Sequence, residues 1–148
     1  MPEKKTIEKA RRAKREGKAP STQAGEFVHE EIEHVREGKH GARSPEQAIA
    51  IGLSKARRSG VKVPPPKKGT ASEATRKRAE RDLKAGQKKS TKKSSTKRAA
   101  AGKKALKKES RSSVSTKKLS VHAKKAAATR KRRGNTSASS RKRTAKSK

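Results

Sequence analysis

The chain has 148 residues, of which 46 are Lys or Arg and 13 are Asp or Glu, for a net charge of +33. Apolar residues are 26% of the total, with one Phe, no Trp, no Tyr and no Cys. That excludes an ordinary globular core running through the whole chain, and it excludes disulfide scaffolds, cysteine zinc sites and thiol chemistry.

Charge divides the chain into three. Residues 1–18 carry eight basic and three acidic side chains. They read as a basic N-terminal helical arm, with Ile7, Ala10 and Ala13 in a thin apolar stripe. Residues 19–63 hold seven basic and six acidic residues, and most of the large apolar ones. Residues 64–148 hold 31 basic and four acidic residues. A small folded module inside a basic chain follows from this pattern.

The module reads as a helical hairpin. Ser21 or Thr22 is placed to cap its first helix. Ala24, Phe27, Val28, Ile32 and Val35 then fall on one stripe, and Gly38 ends it. The second helix opens with Ser44-Pro45-Glu46-Gln47: an N-cap, a proline at the first helical position, an acid in the first turn and a Gln that can reach back. Ala48, Ile49, Gly52, Leu53 and Ala56 form its stripe, and Gly60 ends it. Gly52 costs a helix roughly 1 kcal/mol against Ala. Close approach of the first helix is the expected compensation. Two short helices bury little against each other alone, so a third surface is expected. It is either residues 4–15 or a second copy of the chain, and the acid face of the first helix (Glu30, Glu31, Glu33 and Glu37), suited to a neighbour's basic segments, favours the copy: a homodimer through residues 21–60.

Pro64-Pro65-Pro66 favours extended polyproline II, so residues 64–69 read as a spacer. Residues 70–148 are mostly Lys, Arg, Ala, Ser and Thr, and a Ser-Thr-Lys-Lys/Arg motif recurs three times from Ser90, Ser95 and Ser115. Leu83, Leu106 and Leu119 mark stretches of nascent helix. Like charges four residues apart oppose a helix in isolation. The expected fold is therefore all-α: a hairpin of two helices, or three, followed by a largely disordered basic tail.

The tail carries the functional signal. Lys and Arg neutralise phosphates and release counterions, which supplies most non-specific nucleic-acid affinity. The candidate phosphate ligands are Arg57, Arg58, Lys88, Lys89, Lys92, Lys93, Lys97 and Arg98, then Lys103, Lys104, Lys107, Lys108, Lys117, Lys118, Lys124 and Lys125, then Arg130, Lys131, Arg132, Arg133, Arg141, Lys142 and Arg143. Readers of single strands stack bases on aromatic rings, and Phe27 sits on the core stripe. Backbone binding to duplex DNA fits better.

His29-Glu30-Glu31-Ile32-Glu33-His34 is one residue longer than the zinc-protease pattern, which needs histidines four apart. Its pairs at that spacing, His29/Glu33 and Glu30/His34, read as an acidic solvated face rather than a metal site. No catalytic constellation is present, Asp82 is the only Asp, and neither a cofactor nor an enzyme is expected. Apolar runs are too short for a membrane span, and residues 1–18 lack the apolar stretch of a signal peptide. The cytoplasm, and within it the nucleoid, is the expected location.

The segments HEEIEHVREGKHGARS and QAIAIGLSKARRSGVK, within residues 26–68, resemble a family of small basic bacterial proteins of unknown function. The resemblance implies a bacterial origin and carries no active site to transfer. The tail is similar in composition to the Lys/Ala/Ser/Thr-rich tails of linker-histone-like nucleoid proteins. The expected function is non-enzymatic, largely sequence-independent DNA binding. The alternatives are an RNA- or ribosome-associated basic protein, and an adaptor that recruits a DNA-maintenance or repair partner through residues 21–60.

Overall fold

The computed structural model describes residues 2–88 and 95–145, those from 135 onward by their backbone alone. Its elements are α1 (Lys4–Arg15), α2 (Pro20–Arg36), α3 (Pro45–Arg58), α4 (Glu73–Gln87), α5 (Thr96–Lys107), a 3-10 turn (Arg111–Val114) and α6 (Thr116–Ala145). The chain divides into two compact units after Val114. This corrects the expectation of a hairpin with a disordered tail: residues beyond the prolines form three further helices.

The second helix of the hairpin begins as its sequence dictates. The Ser44 hydroxyl accepts the Gln47 N–H at 3.3 Å, and the Gln47 carboxamide accepts the Arg43 N–H at 2.6 Å. α2 starts differently from expectation. It begins at Pro20, after Ala19, with no side-chain cap, because proline at the first position already has the helical φ. Gln23 steadies that turn by donating to the Lys18 carbonyl at 2.8 Å. Gly38 closes α2 at φ +78°, with its own N–H on Val35 O and the Lys39 N–H on His34 O.

α2 and α3 meet through small residues. Ala24, Ala48, Gly52 and Ala56 are buried, while Val28, Ile32, Ile49, Ile51 and Leu53 are half-buried. A Cβ on Gly52 would lie 2.6 Å from Val28 Cα and 3.0 Å from Phe27 O, so the close approach expected at Gly52 is present. α1 supplies a third surface within the same chain, burying Thr6, Ala10 and Ala13. Ala10, Ala24, Phe27, Ala56, Val61 and Val63 form the core, with Ile7 and Leu53 against it.

Polar contacts fix α1 on α2. The Glu3 N–H donates to Glu30 Oε2 at 3.1 Å, and Lys55 Nζ donates to Glu30 Oε1 at 3.3 Å. Burial pushes the Glu30 carboxyl up. Hydrogen bonds from Thr6 and the Glu3 N–H, together with the Lys55 ammonium, outweigh burial and hold it below the ordinary range. A carboxyl depressed in the folded state contributes stability above its unfolded pKa and loses it as pH falls through the folded value. We expect the thermal midpoint to drop more steeply with acid below about pH 4 in the natural chain than in Glu30→Gln. Melting curves on both between neutral and acid pH check this; parallel curves would remove Glu30 from the account.

Residues after the prolines complete the first unit. Asp82, buried on α4, accepts from Ser54 Oγ at 2.6 Å and Arg58 Nε at 2.8 Å, both on α3. A Cβ on Gly86 would meet the Arg57 carbonyl, so α4 needs a glycine there. The segment after α5 docks too. Gly41 donates to Leu106 O at 2.9 Å and Ala42 to Ser110 O at 3.1 Å. Ser113 and Val114 are buried, in a turn packed on α2 and α3.

Charge spacing supports α4 at Arg76, although Lys77 and Arg81 stand four apart, and leaves α6 unopposed. In α4 Arg76 pairs with Glu73 at 3.0 Å and with Glu80 at 3.8 Å. In α6 the basic residues are Lys117, Lys118, Lys124, Lys125, Arg130–Arg133 and Arg141–Arg143. No two of them are four apart. The repulsion expected from the composition is absent from the actual order, and the Ala126-Ala127-Ala128 run favours helix. Ser115 Oγ accepts the Lys118 N–H at 3.4 Å at its start.

Candidate nucleic-acid interface

α6 is 30 residues long, about 45 Å at 1.5 Å per residue. Lys117, Lys124 and Lys131 recur every seven residues, and Lys118, Lys125 and Arg132 do the same beside them. At about 100° per residue the six occupy one face roughly 140° wide, in pairs about 10.5 Å apart along the axis. All six are exposed, and Val121, also exposed, lies within the face. No Asp or Glu follows Glu109, so nothing acidic on α6 competes for these cations. Arg130 and Arg133 are exposed on other faces of the helix. The seven-residue register breaks after Arg132, where Ala138 and Ser139 take the next places; Arg141, Lys142 and Arg143 fall outside it, and their side chains lie outside the described residues.

The first unit holds the other expected ligands. Lys97, Arg98, Lys103, Lys104 and Lys107 are exposed on α5, with Lys108 at its end and Lys88 at the end of α4. Lys89, Lys92 and Lys93 lie outside the described residues.

Two expected ligands do something else. Arg57 is buried, and its guanidinium donates to Val63 O at 3.1 Å and Pro64 O at 3.2 Å. Burial lowers its pKa against the opposing pull of Asp82. It therefore ties the proline segment to α3 and is turned away from phosphate. Arg58 keeps an exposed side chain but pairs with Asp82. The sequence signal for this was Asp82 itself, a lone aspartate among basic residues.

The acidic face of α2 is also resolved. His29 and Glu33 lie 3.5 Å apart and both are exposed. Glu30 and His34 do not pair with each other: both turn to Glu3, whose Oε1 is 3.0 Å from His34 Nε2. Phe27, the only aromatic, is 1% exposed and offers no ring to a base.

Residues 3–68 match the sequence profile of a family of unknown function (DUF6496). The match spans α1 to α3 and the proline segment, under half of the chain. It begins at residue 3 and so takes in α1, which the resemblance drawn from residues 26–68 left out. No curated protein and no solved structure matches. Among the described residues, no helix is long and apolar enough to cross a membrane.

Proposed function

We propose that this chain is a non-enzymatic DNA-binding protein of the nucleoid, histone-like in action, that grips duplex phosphates with little sequence preference. One observation carries the reading: α6 presents six cations on a single face with no carboxylate anywhere on the helix. Cations at regular spacing on a rigid helix neutralise phosphates without the cost of ordering a flexible chain. The exposed lysines of α5 add to the same charge field. Burial of the one aromatic supports backbone contact over base stacking.

Salt dependence is the test. With about eight phosphates neutralised, log K falls against log[salt] with a slope near −7. Titration of a random-sequence duplex at several salt concentrations measures it. A slope near −1, or strong preference for one site, would overturn the proposal. The same titration with duplex RNA of equal length separates DNA from RNA as the natural target.

α1 already supplies the third surface within one chain, so self-association through residues 21–60 rests on avidity alone: two copies of α6 on one duplex raise it through effective concentration. Sedimentation of the full chain across a wide concentration range is expected to show a dimer in exchange with monomer. Monomeric mass throughout would remove it.

A further inference from the structure

We propose that Glu31, His34 and His40 form a binding site for a divalent transition metal of the zinc class. Each offers one donor atom, and the three atoms lie within 4.8 Å of one another. Glu31 and His34 are three apart on α2, a spacing that puts both on one helix face, as in Glu-x-x-His metal sites built on helices. His40 arrives from the other side, because the turn at Gly38 folds the chain back over the last turn of α2. The two imidazole rings stand edge to face, with centroids 6.2 Å apart.

The donors have the surroundings that metal ligands have. His40 Nδ1 lies 3.0 Å from the Gly41 carbonyl, which accepts from that nitrogen. In the neutral ring that hydrogen bond leaves the Nε2 lone pair toward Glu31 Oε1, 3.0 Å away. Two lone pairs at this distance repel unless a cation sits between them. The separation is close to the roughly 3.3 Å between donors on a tetrahedral zinc with bonds of 2.0–2.1 Å. Glu3 faces His34 Nε2, the carboxylate–imidazole pairing that orients metal-binding rings.

Glu31 is the strongest pointer. Its side chain is 1% exposed, and neither oxygen has a hydrogen-bond partner. Lys55 Nζ lies 2.6 Å from Oε2, but without hydrogen-bond angles. Lys55 thus balances charge at one oxygen and leaves Oε1 for the ion. A proton on His40 would satisfy Glu31 alone. The convergence of a second imidazole is what an ion requires and a proton does not. Nitrogen and carboxylate donors without sulfur suit Zn²⁺ and its neighbours over Ca²⁺ or Mg²⁺. Three protein ligands leave one position for water.

The test uses the full chain and ZnCl₂ in phosphate-free buffer at about pH 7, where imidazole is largely free to ligate. Calorimetry is expected to show one equivalent bound. Ring resonances of His34 and His40 should shift, while those of His29 and His122 stay in place. The pair His34→Ala with His40→Ala should lower zinc affinity about a hundredfold or more, since losing even an outer-shell partner costs 10- to 100-fold. The ring resonances of the natural chain decide the matter even if that variant misfolds. No saturable binding, or shifts at His29 or His122 instead, would overturn the site.

Discussion

Replacing Lys117, Lys118, Lys124, Lys125, Lys131 and Arg132 together by Gln lowers duplex affinity by about a thousandfold at 0.1 M salt. Each phosphate contact releases nearly one counterion, worth up to about 0.9 log units at that concentration. Six lost contacts set an upper limit near five orders of magnitude. Exposed lysines on α5 and the arginines left on α6 recover part of it. The salt slope should fall by about three at the same time. Gln has nearly the helix propensity of Lys, so circular dichroism should change little. A loss under tenfold with helicity intact would show that α6 is not the main contact. Removing residues 115–148 asks the same question at the unit boundary after Val114. A cut at residue 63 does not, because it also strips Asp82 from Ser54 and Arg58, and Val114 from its buried place.

That last point marks where sequence reasoning stopped. The local signals were legible. Ser44, Pro45 and Gln47 announced the start of α3, and Gly38 and Gly60 announced two helix ends. Gly52 announced a close approach. These are backbone constraints, and a single residue states each of them. The extent of the first unit was hidden, because its outer parts are held by few residues. α4 buries Ala79 and Asp82 where a larger helix would bury a stripe of leucines. The turn before α6 docks through Ser113 and one valine. Against 31 basic residues these anchors leave almost no trace in composition. Averaged charge density misled for the same reason: repulsion depends on which residues stand four apart, and in α6 none of the cations do. The histidines show the limit on the chemical side. Spacing along α2 drew attention to His29/Glu33 and Glu30/His34, whereas folding joined His34 to Glu31 and to His40 beyond the turn.

Two glycine substitutions separate helix propensity from packing. Gly25→Ala should stabilise the chain by about 1 kcal/mol, and Gly52→Ala should destabilise it by about 2 kcal/mol. Both residues lie inside helices, Gly25 in α2 and Gly52 in α3, so propensity alone favours Ala at each. At Gly25 nothing lies within 4 Å of the added Cβ, and the gain is realised. At Gly52 the Cβ would stand 2.6 Å from Val28 Cα and 3.0 Å from Phe27 O. Both are backbone atoms, so no rotamer change relieves the overlap. α2 and α3 must move apart, loosening the buried contacts of Phe27 and Ala56 in the core. Overpacking of this kind costs roughly 1–3 kcal/mol and outweighs the gain in propensity. Denaturant melts of the two variants beside the natural chain give the signs directly. Stabilisation at both positions would mean that α2 and α3 do not touch at Gly52. The Gly38 turn, which brings His40 back to Glu31 and His34, joins these same two helices.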